Sequence, residues 1–324
     1  MKILVTGGAG YIGSHFVKHL LDNNKEVVVF DNLSRGHKES LPEKIIFEEG
    51  DLLNSESLKE IFINHKFDSI VHFAAFAYVG ESVERPEMYY ENNVVGSFNL
   101  IKAAAENGIK NFVFSSTCSV YGNPENIPIS EAEPADPINP YAKTKLMIEN
   151  ILEDFHSAYG MNYAALRYFN AAGAELMGNI GESHDPEPHL IPIVLNTALG
   201  IRDKVLIFGD DYDTEDGTCI RDYIHVNDLA DAHLKALTYL QKEKKSLVVN
   251  LGTGKGNSVR EIISSSEKIT GKNITSEITS RRKGDPAILV ADNKKAKETL
   301  GWSPEYNLED IISSAWNWHK NKKF

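Results

Sequence analysis

Short apolar runs and amphipathic stretches take turns along the first half of the chain. Residues 3–6, 27–30, 45–47, 70–73, 112–115 and 163–166 are apolar almost throughout, the pattern of strands covered on both faces. Between them, residues 11–21, 57–63, 86–107 and 140–159 place apolar side chains at helical spacing. This alternation predicts an α/β fold, a doubly wound parallel sheet of Rossmann type. Past residue 170 the rhythm weakens. Residues 173–189, rich in Gly, Pro, Glu and His, read as a loop. Residues 190–199 read as a helix, 205–208 and 223–226 as short strands, and 228–239 as a helix capped by Asn227. Strands at 247–251 and 274–278 and helices at 258–269 and 308–318 complete the pattern. The shift near 170 predicts a larger unit over 1–170 and a smaller one over 171–324, with part of 220–250 returning to the first.

Composition narrows the functions. With 324 residues, 42% of them hydrophobic, the chain can bury a sizeable core. The net charge is −12, and the basic runs at 242–245, 281–283 and 320–323 are short and scattered, so no nucleic-acid partner is expected. Cys118 and Cys219 make neither a disulfide framework nor a zinc-ligand spacing, and no apolar run is long enough for a membrane span. A cytoplasmic chain with reduced thiols and no membrane partner is expected. The acidic residues Asp210, Asp211, Asp213, Glu215 and Asp216 lack the central glycine of a calcium loop. His72, His184, His189 and His225 show no ligand spacing, so no metal is expected.

Gly7, Gly10 and Gly13 stand between the first predicted strand and the first predicted helix. In that context Gly7 permits the tight turn, Gly10 lets backbone approach a pyrophosphate, and Gly13 brings helix against strand. The start of the helix then presents free N–H groups to the phosphates. Asp31 ends the second strand, where a carboxylate accepts hydrogen bonds from the adenosine ribose and repels a 2′-phosphate, favouring NAD over NADP. Arg35 nearby keeps the second cofactor open. Tyr141 and Lys145 lie four apart on one helix face. A phenol beside an ammonium becomes a usable base. Ser115, Ser116 and Thr117 end another strand, and the Thr117 hydroxyl can relay a substrate proton to Tyr141.

These motifs resemble those of the extended short-chain dehydrogenases/reductases. Further strings narrow the resemblance to the UDP-hexose 4-epimerases: residues 73–75 with 79–82, 89–93, 115–116 with 120–122, 167–170, 208–212, 214–218 and 221–226. The resemblance runs nearly end to end. It implies tightly held NAD, a homodimer, and interconversion of UDP-glucose and UDP-galactose through transient oxidation at C4. It implies that Tyr11, Ile12, Asn32, Ser34, Gly36, Asp51, Leu52, Phe73, Ala74, Ala75, Ala77, Asn92, Ser115 and Phe169 join Gly7, Gly10, Gly13, Asp31, Arg35, Tyr141 and Lys145 around the cofactor. It assigns the sugar nucleotide to Thr117, Tyr141, Asn170, His189, Leu190, Leu206, Ile207, Phe208, Arg221, Tyr223, Arg282, Asp285 and Leu289.

The chain departs from the family pattern in four places. Thr117 replaces a common serine and keeps the hydroxyl. Ala77 replaces a lysine, and His189 an asparagine. Leu289 holds the position where tyrosine goes with plain hexoses and a small residue also admits N-acetylhexosamines. Leucine is intermediate, so a UDP-N-acetylglucosamine 4-epimerase or a dual-specificity enzyme is the rival reading. A dehydratase would need an acid pair where Cys118 and Ser119 stand, and a non-catalytic regulator would not need Tyr141, Lys145 and Thr117 together.

Overall fold

The apolar run after Met1 forms β1 (Lys2–Thr6), and the main sheet is built outward from it on both sides. In the computed structural model, which describes residues 1–282 and 285–324, the first half continues as follows. Helix α1 (Tyr11–Asp22) leads to β2 (Glu26–Asp31), β3 (Ile46–Glu49), α2 (Ser55–Asn64) and β4 (Ser69–His72). Next come α3 (Val79–Glu84), α4 (Pro86–Tyr89), α5 (Gly96–Glu106), β5 (Asn111–Thr117), α6 (Pro140–Tyr159) and β6 (Asn162–Tyr168). The second half contains β7 (Asn170–Ala172), α7 (Leu190–Ala198), β8 (Val205–Phe208), β9 (Ile220–Arg221), β10 (Tyr223–His225), α8 (Val226–Glu243) and β11 (Leu247–Leu251). It ends with β12 (Asn257–Ser258), α9 (Val259–Thr270), β13 (Ser276–Thr279), β14 (Ile288–Leu289), α10 (Lys294–Leu300) and α11 (Leu308–Lys320).

Seven strands form a parallel sheet in the order β11-β6-β5-β4-β1-β2-β3. The connections reverse direction at β1, opening a crevice at the carboxyl ends of the strands. Alternating residues serve opposite faces. Ile3 and Val5 pack with Phe16, Leu20 and Leu237 of α1 and α8, whereas Leu4 packs with Leu100, Ile148 and Leu152 of α5 and α6. Val249 of β11 belongs to the first of these cores, so α8 and β11 extend the nucleotide-side sheet. A separate core joins Val194, Ile207, Ile262 and Ile312 of α7, β8, α9 and α11 beyond the sheet's carboxyl edge.

Four elements differ from the expected ones. The helix over 86–107 is interrupted by a π-helical turn, Tyr90–Val95. The helix assigned to an Asn227 cap starts at Val226; His225 is the cap, its Nδ1 accepting from the Asn227 N–H at 3.0 Å. The short helices α3 and α10 carried too few periodic apolar positions to be recognised. Lys283, in the 281–283 basic run, lies outside the described residues.

Candidate active site

The turn after β1 is shaped by close backbone approach. Gly7 has a φ of +71°, and a Cβ there would lie 2.4 Å from the Ala74 nitrogen. A Cβ on Gly13 would lie 2.2 Å from the Gly7 carbonyl oxygen. Side chains at either position would push the loop off the helix. Tyr11, Ile12 and Gly13 form the first turn of α1, whose N–H groups lack intrahelical partners. In front of this turn opens a cleft. It is lined by Gly7, Gly10, Asp31, Asn32, Ser34, Arg35, Gly36, Asp51, Leu52, Phe73, Ala74, Ala75 and Asn92, together with Phe30, Gly50 and Phe76. An elongated cleft ending on a helix N-terminus and a carboxylate fits a dinucleotide.

Asp31 is 8% exposed at the end of β2. Its carboxylate accepts from the Ala9 and Leu33 N–H groups, each at 2.9 Å. Burial raises its pKa, and the two backbone donors oppose that rise. Asn32 donates to Asp51 at 2.9 Å, holding the ends of β2 and β3 together. Arg35 is engaged elsewhere: its guanidinium meets Glu81 at 2.7 Å and stacks between Phe76 and Tyr78. Ala77 is exposed beyond the cleft lining.

Helix α6 opens on Asn139, whose side chain accepts from the Ala142 N–H, with Pro140 in the first turn. Tyr141 and Lys145 follow on one face. The Lys145 ammonium donates to the Ser115 carbonyl at 2.8 Å and lies 5.9 Å from the centre of the Tyr141 ring. Burial pulls the Lys145 pKa down to about 7, with Glu149 opposing. Burial pushes the Tyr141 pKa up, Tyr168 adds to the rise, and a hydrogen bond from Thr117 offsets part of it. Thr117 closes β5, and its hydroxyl accepts from the Ser119 N–H at 3.1 Å. The Ser115 hydroxyl instead pairs with Tyr168.

The residues assigned to the sugar nucleotide come from separate elements past the carboxyl edge. Asn170 and Tyr223 pair in register across β7 and β10. Arg221 and Leu289 pair across β9 and β14. Both Nη atoms of Arg221 are engaged, donating to the Ile220 and Pro286 carbonyls and to Asp285 at 2.5 Å. The expected phosphate ligand is thus also a brace for the loop that carries Asp285. The Arg282 guanidinium lies 4.0 Å over the Phe208 ring. Leu289 packs with Phe169 and Cys118, the residue after Thr117. Leu206 is half-buried on β8, and Ile207 points into the core beyond the sheet's carboxyl edge. His189 and Leu190 begin α7, but the His189 imidazole turns toward Glu182 and Glu187, at 2.7 and 3.0 Å.

Residues 3–252 match the model of the NAD dependent epimerase/dehydratase family. The chain belongs to that family. A UDP-glucose 4-epimerase of Halalkalibacterium halodurans is 54% identical over 99% of this chain and 96% of its own length. The crystal structure of UDP-glucose 4-epimerase from Brucella ovis in complex with NAD is 48% identical, with a TM-score of 0.95 over 97% of each chain. The UDP-Glc/GlcNAc 4-epimerase of Campylobacter jejuni is 45% identical, with a TM-score of 0.87 over 99% of each chain. This member of the family is an NAD-dependent epimerase on a Rossmann-type sheet.

Two supporting residues went unrecognised in the sequence. Glu149 follows Lys145 by one helical turn on the same face. It is bound by Arg167 at 2.5 Å and by the Ser116 hydroxyl, and Arg167 also reaches the Tyr121 hydroxyl at 3.0 Å. The repeat 141, 145, 149 was the available signal. Asn93, fully buried in the π-helical turn, holds both the N–H and the carbonyl of Phe76 and donates to Thr144. It ties the cofactor wall to α6. A π turn leaves no periodic trace that would single out Asn93 over its neighbour Asn92.

Proposed function

We propose that the chain interconverts UDP-glucose and UDP-galactose by transient oxidation at C4. The observation that carries the reading is the buried Lys145 ammonium, held beside the Tyr141 ring by the carbonyl of Ser115, on the strand that ends in Thr117. A sugar carbinol has no acidic C–H, so inversion at C4 proceeds through a ketone. NAD, when bound, supplies the acceptor and donor of hydride and a positive ring. Tyr141 takes the C4 hydroxyl proton and returns it, and Thr117 passes it along. The Lys145 ammonium, fixed by the Ser115 carbonyl, holds positive charge near the phenol and offsets the burial that disfavours a phenolate. Asp31 selects the unphosphorylated ribose, and Arg35, drawn to Glu81, offers no welcome to a 2′-phosphate. Arg221, Arg282, Asp285, Phe208 and Tyr223 grip the nucleotide while the hexose turns. We take 1–170 with α8 and β11 as the nucleotide unit and the remainder as the sugar unit.

The proposed assembly is a cytoplasmic homodimer. Val95 and Phe98 of the α4–α5 segment and Met147 and Tyr159 of α6 are exposed apolar side chains on neighbouring helices. A second copy of the same face would cover them. Incubating the purified chain with UDP-galactose and following UDP-glucose tests the reading. Sustained conversion without added NAD is the expected result, and no conversion with either sugar overturns it.

A further inference from the structure

The loop before α7 gathers four ligand-type side chains, among them the His189 assigned above to the sugar nucleotide. Glu182, His184, Glu187 and His189 each offer one donor atom, and these atoms lie within 4.8 Å of one another. The expectation that His184 and His189 lack ligand partners counted histidines alone. The irregular backbone of this loop brings two carboxylates between them.

The carboxylates are shielded, with the Glu182 side chain 5% exposed and that of Glu187 13%. Two negative groups removed from water require positive charge. Among the described residues no lysine or arginine pairs with either, and the facing groups are imidazoles. His189 Nδ1 lies 2.7 Å from Glu182 Oε1. His184 Nδ1 lies 3.2 Å from Glu182 Oε1 and 3.6 Å from Glu187 Oε2. Yet this buried nitrogen makes no hydrogen bond. It sits close to two oxygens while pointing squarely at neither, whereas the His189 Nδ1 bonds Glu187 Oε1 at 3.0 Å.

We propose that Glu182, His184, Glu187 and His189 form a four-coordinate site for a divalent cation of the zinc class. Two imidazole nitrogens and two carboxylate oxygens suit such an ion, whereas calcium and magnesium prefer all-oxygen shells. Metal–ligand bonds of about 2.0–2.1 Å imply ligand–ligand edges of roughly 3.3 Å in a tetrahedron. The His184–Glu182 distance matches that edge, the His189–Glu182 contact needs to widen, and the remaining edges, all within 4.8 Å, close onto the ion. The bound ion fastens the loop at the head of α7. It does so against the Tyr11 and Tyr78 rings, which meet His184 edge-on, and against α11, where Trp318 donates to the Glu182 carbonyl at 2.8 Å. Its role is structural. It stiffens the passage from the first turn of α1 to the start of α7 and takes no part in hydride transfer.

The test uses the full, untagged chain with its dinucleotide, stripped with a chelator, exposed to zinc chloride and desalted. Metal per chain is measured by plasma mass spectrometry, and melting is followed with and without zinc. The expected result is about one zinc per chain and a higher Tm, both lost in Glu182→Gln and in His184→Ala but kept in His156→Ala. Retained NAD and circular dichroism show that each variant is folded. Should the variants fail to fold, cobalt(II) on the unaltered chain decides: the intense visible band of a four-coordinate ion supports the site. Zinc that stays below a tenth of an equivalent, binds equally to the variants, or gives only a weak six-coordinate cobalt band overturns it.

Discussion

The Lys145 ammonium is held 2.8 Å from the carbonyl of Ser115, a residue of the strand that ends in Thr117. Strand and helix are thereby locked in the register that sets the cation beside the Tyr141 ring. Burial lowers the lysine's pKa from 10.5 to about 7. Below pH 7 both folded and unfolded chains carry the proton, and the folded chain bears the full cost of a buried charge. Between pH 7 and 10.5 the unfolded chain binds more protons, so stability rises with pH. Lys145→Met removes that rise. Urea unfolding of the dinucleotide-free chain from pH 7 to 10 is expected to show an increasing midpoint in the parent and a flatter one in the variant, which also loses most turnover.

Glu149 has a stabilising role measurable apart from catalysis. Its removal strands a buried Arg167 and leaves the Ser116 hydroxyl without its acceptor. Breaking a buried pair by deleting one partner costs about 3–5 kcal/mol. Glu149→Ala is expected to lose stability of that order in urea unfolding. It also lowers the Lys145 pKa further, since the carboxylate now opposes the effect of burial.

In the proposed site, cofactor choice rests on the carboxylates of Asp31 and Glu81. Asp31→Asn removes a charged acceptor worth about 1.5–3 kcal/mol, so NAD retention falls roughly tenfold to a hundredfold. NADP is gained only weakly, because Arg35 stays with Glu81. Adding Glu81→Gln releases the guanidinium, and the double variant binds NADP more tightly than Asp31→Asn alone. Equilibrium binding of both dinucleotides to the three proteins checks this.

Much of this site could be read directly from residue order. The glycines at 7, 10 and 13 act through local backbone geometry, and Tyr141 and Lys145 through helical spacing, so both survive in a linear sequence. What escaped depends on irregular or long-range structure. Asn93 acts through a π turn, and the His225 cap is set by a strand that ends on a parallel partner. The Glu182–His189 loop has no period at all. Arg221 was recognisable as a cation. Its bracing of Asp285 follows from the pairing of β9 with β14, two residues long and invisible to pattern.

The proposed sugar gate is Leu289, which packs against the cluster that contains Phe169 and Cys118. Leu289→Tyr is expected to lower kcat/KM for UDP-N-acetylgalactosamine at least tenfold more than for UDP-galactose. Leu289→Ala shifts the ratio the other way. Parallel assays of the two substrates give the ratio directly.

The most direct test of the proposed chemistry is single-turnover and steady-state conversion of UDP-galactose by Tyr141→Phe. This change deletes one oxygen and leaves the ring in place. With NAD content and melting unchanged, turnover is expected to fall by about 10²–10⁴-fold, the usual worth of a positioned acid–base group. Turnover within a few-fold of the parent would contradict the assignment of the proton to Tyr141.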